Sequence, residues 1–130
     1  MIGQSIVNLN TIKDFHTIGQ SLGRSDYFRV VFDVFVESFD KDLESLGAAC
    51  EKNDCQRIRG LCHRMKSSAF TVGAEILGRL LVKLETYAEE FYQDTGLYSK
   101  IYAEIESVYK QSVAVIEESI QAYEQTGDVV

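Results

Sequence analysis

Residues 55–72 form the stretch CQRIRGLCHRMKSSAFTV. Its apolar side chains recur every three or four positions, which is the spacing of one face of an α-helix. Asp54 precedes the stretch, where a helix N-cap is expected, and Gly73 follows it, where a helix commonly ends. The predicted buried face consists of Ile58, Leu61, Cys62, Met65, Ala69 and Val72. We therefore expect an amphipathic helix here, the third of the chain.

The flanking sequence predicts four further helices. Thr11 and Asp14 have the spacing of a capping box, which predicts the start of a short first helix. Residues 30–36, VVFDVFV, also have strand propensity, but the helical spacing continues well beyond them, so we predict a long second helix. The last helix is predicted to run from about Leu97 to Tyr123. The turns between helices are predicted at Gly23, Ser25-Asp26, Lys52-Asn53-Asp54, Gly73 and Asp94-Thr95-Gly96.

The chain has 130 residues and no proline, so the commonest helix breaker is missing. Its length suits one domain, and 45% hydrophobic residues are enough for a core. Short connections between the predicted helices favour antiparallel neighbours. We predict an all-α fold, an antiparallel up-down four-helix bundle with a short additional N-terminal helix. Residues 1–130 form a single domain in this prediction, with a core of about residues 10–124.

The formal charge of −7 argues against nucleic acid and anionic membranes as partners, because both are bound through Lys and Arg. The sequence shows no signal peptide and no stretch as long as a membrane span. We expect a monomer in the cytoplasm. Cys50, Cys55 and Cys62 lack the spacing of a zinc site and are expected to pack in the core. Since Cys62 and His63 point about 100° apart on a helix, we predict no metal site.

The predicted third helix differs in charge from the rest of the chain. It has no Asp or Glu, and its local charge of +4 comes from Arg57, Arg59, Arg64 and Lys66. Its polar face holds His63, which should therefore reach solvent. Gly60 and Ser67 lie about one turn before and after His63, and both are small enough for a bulky partner to approach the imidazole.

An exposed histidine among cations suits a phosphoryl acceptor. Neutral imidazole has a nucleophilic nitrogen near physiological pH, and adjacent cations stabilise the charge on the transferring phosphoryl oxygens. A surface histidine without a role, on a basic helix face, is the alternative that the pattern alone leaves open. The other histidine, His16, has no partner motif, and we expect it to be structural or merely exposed.

The run HRMKSSA at residues 63–69, followed by VGA at residues 72–74, resembles the signature of histidine-containing phosphotransfer (Hpt) domains. That signature usually reads His-x-Leu-Lys-Gly-Ser-Ala or Ser, followed by an apolar residue and Gly. Leu80, Leu84 and Glu85 are similar to the leucine-rich stretch on the next helix of the family. The predicted helix layout also agrees with the family over nearly the whole chain.

The resemblance implies that His63 is the phosphorylated residue and that Lys66 stabilises the phosphoryl group. It places Glu85 where the family often has Gln or Glu close to the imidazole, able to orient the ring, although a plain surface glutamate is the alternative. Arg59 and Ser67 are expected to support the phosphoryl site. Ser67 departs from the usual Gly, so it narrows access to the site, contacts the phosphate or bonds back to its own helix.

The resemblance also implies the partners. The family docks response-regulator receiver domains over the histidine face, so we expect a receiver aspartyl phosphate as donor, another response regulator as acceptor, and a hybrid or sensor histidine kinase upstream. Docking is expected through Gly60, Arg64 and Phe70, although packing against the first helix is an alternative for Phe70. No cofactor is expected, since Mg²⁺ belongs to the receiver. The protein is then a phosphoryl carrier, not a turnover enzyme; a helical adaptor that binds through the same face without transfer is the alternative.

Overall fold

The computed structural model describes residues 6–90 and 95–127. These residues form five α-helices and no strand, which confirms the all-α prediction. The helices are α1 (Leu9–Ser21), α2 (Tyr27–Glu51), α3 (Cys55–Thr71), α4 (Glu75–Glu89) and α5 (Thr95–Thr126). Asp94, in the turn predicted before the last helix, lies outside the described residues, whereas Thr95 and Gly96 begin α5. Over the described residues, no helix is long and apolar enough to cross a membrane.

Local hydrogen bonding and backbone conformation set the helix ends. Asp54 Oδ1 accepts a hydrogen bond from the backbone N–H three residues later, at 3.1 Å, and so caps α3 as predicted. Gly73 has a φ of 86°, the left-handed conformation that commonly follows a helix. The capping box predicted at Thr11 is wrong, because α1 begins earlier. Asn8 caps it, and its Oδ1 accepts from the N–H of Asn10 at 3.0 Å.

The helices α2 to α5 share one core. Helix α2 contacts α3, α3 contacts α4, α4 contacts α5, and α5 contacts α2. The whole predicted apolar face of α3 is buried there. The largest fully buried side chains include Phe28, Phe32, Phe39, Leu46, Leu77, Leu81, Leu84 and Tyr98. Because one face of α3 is enclosed in this core, its opposite face is directed outward.

The three cysteines belong to the interior, as predicted. Cys50, Cys55 and Cys62 are all buried as thiols. Burial raises the pKa of the Cys50 thiol to about 12 and also raises the pKa of Cys62. Both side chains are therefore neutral thiols at physiological pH and act as small apolar residues.

Helix α1 packs against α2. Its start is joined to the turn between α3 and α4, because the N–H of Asn8 donates to the carbonyl oxygen of Gly73 at 2.7 Å. Ile12 is buried on its inner side. His16 is only 2% exposed, and its ring stacks on Tyr123 with the ring centroids 3.9 Å apart. Of the two possibilities for His16, the structural role is confirmed.

Candidate functional site

Helix α3 presents His63 to solvent. The residue lies on the face opposite the buried one, and its side chain is 72% exposed. Gly60, about one turn earlier, keeps the surface open beside it, since a Cβ added there would meet no neighbouring group within 4 Å. The prediction that His63 reaches solvent is confirmed.

A buried carboxylate holds one nitrogen of the His63 ring. Glu85 lies on α4, which packs against α3, and its side chain is 9% exposed. Its Oε2 lies 3.0 Å from His63 Nδ1. The preceding residue, Leu84, is fully buried, so the packing of α4 in the core also fixes the position of the carboxylate. The predicted proximity of Glu85 and the imidazole is confirmed, and the alternative of a plain surface glutamate is wrong.

Lys66 is bound to the same carboxylate. Its Nζ donates to Glu85 Oε1 at 2.7 Å, while Oε2 bonds the ring. Lys66 follows His63 by three residues, so both side chains lie on neighbouring positions of the helix surface. The Lys66 side chain is 26% exposed. The structure thus joins His63, Glu85 and Lys66 in one hydrogen-bonded group, called the His63 triad below.

Glu85 is ionised within the His63 triad. Burial opposes its charge, but the hydrogen bonds with Lys66 and His63 outweigh burial and hold the pKa of the carboxyl below its ordinary value. A carboxylate only accepts hydrogen bonds, so Nδ1 of His63 must carry a proton. The neutral ring then has its lone pair on Nε2, on the side away from Glu85. The triad therefore fixes the tautomer in which the nucleophilic nitrogen faces away from the protein's own carboxylate.

An open cavity of about 400 Å³ lies beside the ring. It is lined by Gln56, Arg59, Gly60, His63, Glu85 and Glu89. The structure therefore brings Arg59 and Gly60 together with His63, as the helical spacing predicted. Among the described ion pairs, Lys66 is engaged and Arg59 is not, so the Arg59 guanidinium is available to a visiting anion. In the described part of the chain, no group of three or more His, Cys, Asp or Glu side chains is placed to hold a metal ion.

Two predicted site residues on α3 are directed toward α2. Ser67 lines a separate groove that includes Val34 of α2. Arg64 Nη2 donates to Asp42 Oδ1 at 2.7 Å, and Arg64 Nε donates to Asp42 Oδ2 at 3.3 Å. No spacing in the sequence indicates Asp42 as the partner, because the pair joins two different helices. Neither Ser67 nor Arg64 is among the residues that line the cavity beside His63.

Phe70 is packed on α4 and still reaches solvent. Its ring covers Gly78, where an added Cβ would lie 2.5 Å from Phe70 Cε1. The side chain keeps 37% of its surface exposed. The described contact of Phe70 is thus with α4. The open edge of the ring remains accessible to a partner.

A comparison with known protein families matches the part of the chain that contains the candidate site. A family profile described as the Hpt domain matches residues 30–126, about three quarters of the chain. The matched segment contains α3, α4, α5 and most of α2, and it includes the complete His63 triad. No curated protein and no solved structure matches the chain.

Proposed function

The chain belongs to the Hpt domain family, and we propose that it carries phosphoryl groups between the proteins of a phosphorelay. Phosphotransfer in phosphorelays is the function of this family. In our proposal, His63 accepts a phosphoryl group from the aspartyl phosphate of a receiver domain and passes it to another response regulator. A hybrid or sensor histidine kinase stands upstream, and the chain acts as a carrier, not as an enzyme with turnover.

The environment of His63 carries this proposal. Its side chain is 72% exposed, so a second protein can reach the ring. The carboxylate of Glu85, 3.0 Å from Nδ1, keeps the proton on that nitrogen. The Nε2 lone pair attacks phosphorus in line with the acyl oxygen. The N–P bond forms as the P–O bond breaks, and the aspartate leaves as a carboxylate. The attacking nitrogen carries no proton, so no base has to remove one.

Charge neutralisation is assigned to the cations around the ring. We propose that Lys66 stabilises the phosphoryl oxygens, since its Nζ already lies within the His63 triad. Arg59 supports it from the cavity wall. Ser67, about one turn further along α3, stays a proposed support of the phosphoryl site. We propose no cofactor for this chain, because the Mg²⁺ of the reaction is supplied in the acidic site of the receiver.

The docking surface is proposed on the same helix face. Helix α3 contains no Asp or Glu, so its charge is complementary to the acidic, phosphorylated site of a receiver. Gly60 allows a close approach, and Phe70 offers the open edge of its ring. Arg64 contributes its charge while it remains bonded to Asp42.

For the fold, we propose the up-down antiparallel arrangement of α2 to α5 within a single domain. Contacts between α2 and α5 support it, because Arg29 bonds Glu117 whereas Asp40, later in α2, bonds Tyr109, earlier in α5. The connections α2–α3 and α3–α4 are only three residues long, which favours antiparallel neighbours. A monomeric state in the cytoplasm completes the proposal.

Phosphoryl uptake from phosphorylated receivers tests the function. The full chain is incubated with purified receiver domains of its own genome, one at a time. Wild type should gain acid-labile, base-stable phosphate from at least one receiver, and His63→Gln should gain none while its helicity is unchanged. Lys110→Ala, an exposed change on α5, is the control and should be labelled like wild type.

Two outcomes would contradict the proposal. Labelling that persists in His63→Gln would refute the assignment of His63. A wild-type chain that binds receivers but gains no phosphate from any of them would favour the non-transferring adaptor.

A further inference from the structure

Glu85 is charged at a position where an uncharged amide would be enough to orient the ring. The oxygen of a glutamine side chain accepts a hydrogen bond from Nδ1–H just as a carboxylate oxygen does. Only glutamate adds a buried negative charge, and here that charge lies 3.0 Å from His63 Nδ1 on a side chain that is 9% exposed. For the interaction with the ring, the difference between the two side chains matters most in a state in which the ring itself is charged.

Phosphorylation creates such a state. Attack by Nε2 leaves the proton on Nδ1, so the product is a phosphorylated imidazolium. Breaking its N–P bond releases neutral imidazole, which is a good leaving group. If the proton departs from Nδ1 first, the leaving group would be an imidazolate anion, and the N–P bond is much more durable. The lifetime of phosphohistidine therefore depends on the Nδ1 proton.

We infer that Glu85 keeps the Nδ1 proton on the phosphorylated ring of His63 and so holds the phosphohistidine in its readily transferred form. The inference rests on the proposed function, because it takes His63 as the phosphorylated residue. Glu85 is a positioning residue in this scheme, since it acts through the imidazole and does not touch the phosphoryl group. Its burial limits screening by solvent, which strengthens its attraction for the ring cation.

Among the charged groups around the ring, Glu85 is the one that we expect to stabilise the Nδ1 proton. Glu89 lines the same cavity from α4, but within the described residues it makes no hydrogen bond with the ring. Arg59 and Lys66, both on α3, are cations and oppose the ring proton. Asp42, on α2, accepts hydrogen bonds from Arg64 through both of its carboxylate oxygens. Once the phosphoryl oxygens attract Lys66, the full charge of Glu85 faces the imidazolium.

The test loads the full chain with phosphoramidate, a small phosphoryl donor that needs no receiver. The lifetime of the phosphohistidine is followed by phosphorus NMR over a range of pH in wild type, Glu85→Gln and Glu89→Gln. The midpoint pH is defined as the pH at which half of the phosphorylated rings have lost the Nδ1 proton. Since an opposite charge close to a group shifts its titration by about 1–3 pH units, we expect Glu85→Gln to lower the midpoint by about one unit. At pH values above the midpoints of both proteins, the phosphohistidine of Glu85→Gln should then last about ten times longer than that of wild type.

Glu89→Gln is the matched control, because it removes the same charge from the same cavity without touching the ring. Its midpoint should stay close to that of wild type. Equal midpoints in wild type and Glu85→Gln would overturn the inference. An equal shift in both variants would overturn it as well, because the effect would then belong to the general field of the cavity.

A measurement on wild type alone covers the case in which Glu85→Gln does not fold. Nitrogen NMR of the labelled imidazoles compares the phosphorylated ring in the folded chain and in the chain unfolded by urea. The folded midpoint should be higher by about one unit, and equal midpoints would overturn the inference. A chain that reacts with phosphoramidate but gains phosphate from no receiver would contradict the proposed function alone, since the midpoints are still measured.

Discussion

Replacing Gly78 with alanine tests how closely Phe70 is packed on α4. The added Cβ would lie 2.5 Å from Phe70 Cε1 and 2.6 Å from Cζ, so the ring must move. Overpacking of this kind costs about 2 kcal/mol, whereas alanine in a helix interior stabilises by about 1 kcal/mol relative to glycine. We therefore expect Gly78→Ala to lower the free energy of unfolding by about 1 kcal/mol.

Truncating Phe70 should reverse the sign of this effect. In a Phe70→Ala background the obstacle is gone, and Gly78→Ala should raise the free energy of unfolding by about 1 kcal/mol. The two positions would then be coupled by about 2 kcal/mol in a double-mutant cycle. Urea unfolding of the four proteins, followed by circular dichroism, measures the cycle, and equal denaturant slopes show that the unfolded states are comparable.

Gly60→Ala is the control for helix propensity, since a Cβ there meets no neighbouring group. It should stabilise the protein by about 1 kcal/mol whether or not Phe70 is present. The reasoning is refuted if Gly78→Ala has the same effect in both backgrounds, because Phe70 would then not be packed on Gly78.

Two further predictions concern Lys66 of the candidate site and His16 in the core. Lys66→Met should slow phosphoryl uptake by His63 about tenfold or more, because it removes a cation from the transferring group; rapid-quench kinetics measure the rate, and an unchanged rate would remove the role assigned to Lys66. Burial lowers the pKa of His16, and the charge of Glu124 only partly offsets it, so the folded protein disfavours the imidazolium form. Wild type should keep its full stability above the ordinary pKa of 6.5 and lose stability as the pH falls below that value. The free energy of unfolding, measured in urea at the same pH values, should fall less in His16→Phe than in wild type. An equal fall would show that His16 does not cause the acid sensitivity.

The features that depend on a single helix could be predicted from the sequence. The apolar spacing of α3 predicted its buried face, and the opposite face then placed His63 in solvent. Residues 30–36 have strand propensity, but they lie inside α2, because tertiary packing of a long apolar stripe overrides local propensity. Periodicity is sufficient in such cases because it involves one element only.

Contacts between helices could not be predicted in this way. They depend on the rotation of each helix about its axis and on the register between neighbours, which spacing within one helix does not define. Glu85 was expected near His63 only through the family resemblance, and nothing in the pattern showed that it also binds Lys66. The ion pair of Arg64 with Asp42 likewise joins two helices whose relative height is set by the whole core.

Helix α1 lies outside the segment that matches the family, yet it packs against α2. The match begins at residue 30, whereas Ile12 and Phe28 are fully buried before it. Burial of such side chains stabilises a protein by about 2 kcal/mol each, a large part of the roughly 5–15 kcal/mol that holds a domain folded. A fragment trimmed to residues 30–126 would therefore expose part of its interior, and we expect it to aggregate or to unfold at a lower temperature than the full chain. Protein production guided by the family boundary alone would remove Asn8, whose N–H donates to the carbonyl oxygen of Gly73 in the turn that follows the histidine-bearing helix.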